Sequence, residues 1–225
     1  MKTKLILGLC LVTLGLRAQM ATTNSYSATP SVLLPDNNPS GYATTFTASG
    51  LAGAIADISV TLDITGGFNG DLYAYLVGPT GQLAVLLNRV GVSGSSAYGY
   101  SDTGFEITLA TSGTLGDVHN YQSLSPNING SGQLTGTWTA DGRNLDPRSP
   151  GGLFTTATPT LGLDNYLGTD PNGVWTFFIA DLSPGGQSTL QGVILNIMTV
   201  PEPQSWALLG TGLTLLGFAR RRLAR

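Results

Sequence analysis

Ile55-Ala-Asp-Ile-Ser-Val-Thr-Leu-Asp-Ile-Thr65 is the stretch that decides the fold. Apolar and polar residues alternate along it, which places Ile58, Val60, Leu62 and Ile64 on one face and their polar neighbours on the other. A period of two is the signature of a half-buried strand and cannot wrap a helix, whose apolar stripe needs a period near 3.6. Gly66-Gly67-Phe68-Asn69-Gly70 then ends the alternation as a turn, because glycine supplies positive φ at little cost. Asp71 to Val77 reads as a second strand, Gly78-Pro-Thr-Gly81 as a tight turn, and Gln82 to Asn88 as a third strand. Working outward, the spacing predicts further strands over Phe105 to Ala110, Val174 to Ala180 and Thr189 to Met198. No amphipathic helical period is found between the two ends of the chain. Short strands divided by Gly, Pro and Asn turns predict an all-β antiparallel sandwich of jelly-roll-like build, about 150 residues long and large enough for a sizeable core.

Both ends differ from this body. Met1-Lys-Thr-Lys, the apolar run Leu5 to Leu16 and the small residue Ala18 form a signal peptide over residues 1–18, cut by signal peptidase after Ala18. The single cysteine, Cys10, leaves with it, so the mature chain offers no disulfide, thiol nucleophile or thiolate metal site. Residues 19–41 read as a lead segment and 42–199 as the sandwich. At the other end, Val200-Pro-Glu-Pro-Gln-Ser opens a tail with an apolar stretch over 206–219 and a basic terminus bearing Arg220, Arg221, Arg222 and Arg225. As a helix that stretch would reach about 21 Å, short of the ~30 Å hydrocarbon core, so flanking residues must snorkel or the bilayer thin. Arginines directly after an apolar span stay on the cytoplasmic side and leave the body outside, with Trp206 as the interfacial anchor.

Most basic residues belong to these ends. Between residues 20 and 200 the chain holds twelve Asp and Glu against Arg89, Arg143 and Arg148, a formal charge of 3 minus 12, or −9. Such a surface repels phosphate backbones and excludes nucleic acid as a partner, while it attracts cations.

Two resemblances follow from these residues. The tail, from Val200-Pro-Glu-Pro-Gln-Ser-Trp through the apolar run to Arg-Arg-Arg, resembles the PEP-CTERM sorting signal of bacteria. The resemblance implies that Pro201, Glu202 and Pro203 form the motif read by an exosortase, a membrane-embedded enzyme that cuts near it. It further implies a protein held briefly in the inner membrane with its body periplasmic, then moved to the cell surface or beyond. The body is similar to the P domain, or P/Homo B domain, of subtilisin-like proprotein convertases. Asp57-Ile-Ser-Val-Thr-Leu-Asp-Ile-Thr, Asn69-Gly-Asp-Leu-Tyr-Ala-Tyr-Leu-Val-Gly-Pro-Thr-Gly, Leu86-Leu-Asn-Arg-Val-Gly, and Asn172-Gly-Val-Trp-Thr-Phe-Phe-Ile-Ala-Asp181 carry it. It departs from that family in Thr65-Gly66-Gly67 before Phe68 and in Val193 where a Trp is common. By this resemblance Asp57, Asp71, Trp175 and Asp181 are structural: Asp71 holds its turn by accepting backbone N–H bonds, and Trp175 packs between the sheets.

Chemistry is sparse in the body. A Ser–His–Asp arrangement needs a base beside the serine, and only His119 could serve, in a loop without nucleophile-elbow glycines, where a histidine is expected to be solvated. Glu106 is the only Glu of the body, which leaves a paired-carboxylate glycosidase to depend on aspartates. Calcium suits the loops better, since it takes six to eight oxygens from carboxylates, amides and carbonyls. The loops that could supply them carry Asp102 and Glu106, then Asp141 and Asp146, then Asp164 and Asp170; some P domains carry calcium, and a bound ion would raise the melting temperature. No other cofactor is expected. The sequence thus favours a non-catalytic exported surface or matrix protein. Its partners would be exosortase, signal peptidase and an extracellular polysaccharide of the biofilm or floc, or another surface protein. An accessory module docking on a separate subtilisin-like protease, or a secreted carboxylate-dependent hydrolase, are the alternatives.

Overall fold

The computed structural model describes residues 20–200. The signal peptide, the Pro201-Glu202-Pro203 element, the apolar run 206–219 and Arg220, Arg221, Arg222 and Arg225 lie outside the described residues. No described helix is long and apolar enough to cross a membrane.

Ten strands form two facing sheets: β1 (Thr22–Ala28), β2 (Val32–Leu33), β3 (Asn38–Ala48), β4 (Ala54–Gly66), β5 (Leu72–Val77), β6 (Leu83–Asn88), β7 (Phe105–Ala110), β8 (Leu134–Thr139), β9 (Gly173–Asp181) and β10 (Ser188–Val200). The larger sheet runs β1-β10-β4-β7-β8, with β2 also on β10, and the smaller runs β3-β9-β5-β6. All neighbours are antiparallel except β7 and β8, which are parallel. A short helix, α1 (Gly151–Thr156), and three 3-10 turns are the helical elements of the described residues.

The alternation of β4 does what its sequence predicts. Ile58, Val60, Leu62 and Ile64 are all buried, and they meet Phe105, Ile107 and Leu109 of β7 and Leu190, Val193, Leu195 and Ile197 of β10. Two bulges adjust the pleat: one at Ala56 lets Ile55 face inward as well as Ile58, and one at Gln191 does the same for Leu190 and Val193. The smaller sheet answers with Phe46, Leu72, Ala74, Leu76, Trp175, Phe177 and Ile179. Full burial of an aliphatic or Phe side chain contributes roughly 1.5–3 kcal/mol, so these facing rows supply the main driving force for the sandwich.

Three features went unread in the sequence. Residues 19–41 do not stand apart as a lead: β1 pairs over Thr22 to Ala28 with Thr199 to Val193 of β10, and Leu34 is fully buried. β3 and β8 are full sheet members although their sequences are rich in Thr, Gly and Ala. The edge of β6 is closed by the long connection after β8, through Asp141 N to Leu86 O, Gly142 N to Val85 O and Val85 N to Leu161 O. This pairing removes an exposed edge that could otherwise recruit another strand.

Candidate functional site

Two buried charge clusters lie at one end of the smaller sheet, and both come from loops that the strands bring together. In the first, Asp71 closes its 3-10 turn just before β5, Arg89 directly follows β6, and Asp181 ends β9 opposite Leu72. The Arg89 guanidinium donates to Ser183 Oγ at 2.7 Å and to the Gly70 carbonyl at 3.2 Å. Burial is the main cause that raises the Asp71 pKa above its ordinary value, with Arg89 nearby working against it. Asp181 accepts from Ser183 N at 3.3 Å, while its Oδ2 has no hydrogen-bond partner. Burial pushes Asp181 up to about 6, with Asp71 and Asp36 adding repulsion. Asp71 therefore does not hold its turn by accepting backbone N–H bonds. That turn is closed by Asp71 N to Phe68 O, and by Asn69, whose side chain accepts from Gly104 N at 2.8 Å and donates to the Gly104 carbonyl at 3.2 Å.

The second cluster corrects the reading of His119 as solvated. The residue is 2% exposed, with Nδ1 2.7 Å from Asp141 Oδ2 and Nε2 3.0 Å from the Val92 carbonyl oxygen. Its ring stacks on Phe154 of α1 at 5.8 Å and 9°. Arg143 donates to Asp141 Oδ1 at 3.1 Å and to Asp117 Oδ2 at 2.8 Å, and Asp141 is fully buried. Burial works against the charged guanidinium of Arg143, but Asp117 and Asp141 outweigh it and leave its pKa raised. Chemically this arrangement is closed. Both ring nitrogens of His119 face acceptors, and neither is turned to a hydroxyl that it could activate.

The acids expected to serve calcium are separately employed. Asp102 Oδ2 accepts from Tyr121 and from Gln122, each at 2.7 Å. Glu106 accepts from Asn129 at 2.8 Å, Asp141 belongs to the His119 cluster, and Asp146 caps Arg148 N at 2.9 Å. Asp170 holds both nitrogens of Asn172, which lowers its pKa, and Asp164 lies exposed in the 3-10 turn Leu163–Tyr166. The fold does not gather these six around one point: no group of three or more His, Cys, Asp or Glu suited to a metal occurs among the described residues. Asp57 is exposed, bonded to Ile58 N and Thr111. Trp175 is fully buried, donates to the Pro171 carbonyl at 2.9 Å, and meets Tyr166 edge-on at 4.9 Å.

Two open clefts lie on the surface of the described residues. One, of about 310 Å³, lies between Phe68, Tyr98, Tyr100 and Pro184, with Asp71 on its wall. The other, of about 330 Å³, lies on the outer face of the smaller sheet between Tyr73, Tyr75, Phe178 and the turn Asp146-Pro147-Arg148.

β10 ends at Val200, fully paired with β4 as far as Ala54. Residues 199–223 match the PEP-CTERM protein-sorting motif. The motif marks the protein as exported, sorted by an exosortase and anchored transiently in the membrane. No curated protein matches the chain. Its fold is similar to two crystal structures of the serine protease of Aeromonas sobria. The structure of that protease with the chaperone ORF2 has a TM-score of 0.43, 12% identity, and covers 81% of this chain and 28% of that chain. The structure of the protease alone has a TM-score of 0.43 and 11% identity, with the same coverage. The chain therefore spans under a third of the length of the proteins it resembles.

Proposed function

We propose that the protein is a non-catalytic β-sandwich, P-domain-like in build, which is released from its membrane anchor by an exosortase and associates with extracellular polysaccharide. The observation that carries this reading is the match of residues 199–223 to the sorting motif, which starts at the last residues that β10 pairs with β4. A cut near Pro201-Glu202-Pro203 would leave the pairing of β10 with β4 intact through Val200. Proline resists helix and sheet, and an extended backbone is what a cutting enzyme would need at the motif.

The absence of catalysis is supported by the geometry of His119, whose ring nitrogens are held by Asp141 and the Val92 carbonyl. Convergence of Asp71, Arg89 and Asp181 from three of the quoted motifs supports the P-domain-like reading. The test is replacement of Pro201, Glu202 and Pro203 by alanine. The variant is expected to accumulate uncut in the membrane fraction, whereas the wild-type protein is released and co-sediments with the extracellular polymer. Release of the triple variant at the wild-type level would overturn the sorting mechanism, and wild-type protein found wholly free of polymer would overturn the association.

A further inference from the structure

The outer face of the smaller sheet carries a row of three aromatic side chains that the core does not use. Tyr73 and Tyr75 project from β5, and Phe178 from the neighbouring position on β9, directly opposite Tyr75. Tyr75 and Phe178 stack with centroids 4.8 Å apart and planes 19° apart, and Tyr73 stands 5.8 Å from Tyr75. All three are half-buried. They flank the open groove of about 330 Å³ whose lip is the turn Asp146-Pro147-Arg148. The turn is fixed by its own hydrogen bonds, Arg148 N to Asp146 Oδ1 and Ser149 N to Asp146 O, each at 2.9 Å, and both charged side chains are exposed.

We propose that this groove is a binding site for a neutral polysaccharide, with the aromatic row as the platform for sugar rings. Aromatic faces carry negative potential and attract the C–H groups that line the flat side of a pyranose ring, so rings exposed on a rigid sheet suit a saccharide. The volume lies at the lower end of the roughly 300–1,000 Å³ of small-ligand clefts, enough for a short stretch of a chain that continues past it. The lip sets the ligand's charge and hydrogen bonding. One carboxylate acceptor, Asp146, and one guanidinium donor, Arg148, sum to no net charge and match hydroxyl groups, which both donate and accept. An anionic polymer would meet a body of formal charge −9. Proline-rich peptides also dock in aromatic grooves, but their backbone offers acceptors at the prolines, and Asp146 would oppose them. Along the sheet the face continues with Thr45, paired with Thr176, and with Val77, so no further charge interrupts it.

This site deepens the polysaccharide association proposed above, and the experiment separates the two. The processed protein is tested by affinity electrophoresis and pull-down with cellulose, a β-1,3-glucan and amylose, with poly-L-proline as the competing ligand. Wild type should be retained by at least one of the glucans. The Tyr75→Ala/Phe178→Ala variant should bind at least tenfold more weakly, and Arg148→Ala several-fold more weakly. Tyr98→Ala, at the other cleft, should bind as wild type. Because Arg148 is exposed, its variant keeps the test valid even where the aromatic double variant folds poorly. Undiminished binding by both the double variant and Arg148→Ala would overturn this site and leave the association standing. Failure of wild type on every glucan, or binding of poly-L-proline in their place, would overturn the saccharide assignment.

Discussion

Replacing Asp141 by Asn tests whether the His119 cluster is one coupled unit. The carboxylate is fully buried and takes four donors: His119 Nδ1 at 2.7 Å, Arg143 Nη1 at 3.1 Å, Asn88 N at 3.2 Å and Arg143 N at 3.3 Å. Asn keeps the shape but removes the charge, and its amide N–H₂ turns a donor toward donors. It leaves the Arg143 guanidinium, whose side chain is 7% exposed, with only the more exposed Asp117. Breaking a buried pair on one side costs about 3–5 kcal/mol. Asp117→Asn removes the other partner, but that side chain is 27% exposed. Solvent there screens the pair to about 1 kcal/mol or less, and Asn keeps a side-chain oxygen that can cap His119 N. In urea unfolding of the processed protein, Asp141→Asn should therefore lower stability at least twice as much as Asp117→Asn, with an unchanged denaturant slope. For a chain of this size each kcal/mol shifts the melting temperature by about 2–4 °C, so thermal melts should show a fall of roughly 6–20 °C for Asp141→Asn. Equal losses in the two variants, or a loss below about 1 kcal/mol for Asp141→Asn, would refute the idea that burial makes this cluster cooperative.

Other expectations follow from the same geometry. Burial raises Asp181 from its ordinary 3.8 to about 6, so the folded state binds the extra proton between those values and stability from this group is lost as pH rises through about 6. Asp181→Asn should accordingly gain in melting temperature over wild type at pH 7, with the difference shrinking toward pH 4; a pH-independent difference would contradict this. Gly113 packs against the Trp138–Thr139 backbone, and its N–H donates to Thr139 Oγ1 at 2.9 Å, whereas Gly130 faces open space. Gly113→Ala should reduce soluble yield and melting temperature sharply, and Gly130→Ala should leave both unchanged. Because the six loop acids are spread apart and all but Asp164 already bonded, the melting temperature should be the same in millimolar calcium and in chelator.

What the sequence revealed follows burial. β4, β5, β9 and β10 were legible because one face of each meets the core and the other meets water or a neighbouring loop, so apolar and polar residues alternate. β1 was not: as an edge strand it buries no side chain fully, with only Tyr26 and Ala28 packed against the core. β3 presents Tyr42, Thr44, Phe46 and Ala48 inward, a face too mixed in polarity to stand out, and β8 interrupts its pattern with Gly136. His119, Asp141 and Arg143 span more than twenty residues and meet only through the fold. One signal was available. With three arginines among twelve acids, each cation has several acids to draw it inward, and Arg89 and Arg143 are indeed buried. The separate engagement of Asp102, Glu106 and Asp170 by Tyr, Gln and Asn side chains was invisible, because residue counts do not say which neighbours a loop carboxylate already satisfies.

The central claim, that the sandwich is freed from a sorting tail, is tested most directly by intact mass. Protein is recovered from a host with an exosortase and from one without it. The account predicts a C-terminus within or near Pro201-Glu202-Pro203 in the first host, with Trp206 to Arg225 missing, and a full-length C-terminus in the membrane fraction of the second. An uncut Arg225 terminus in the exosortase-bearing host would contradict it.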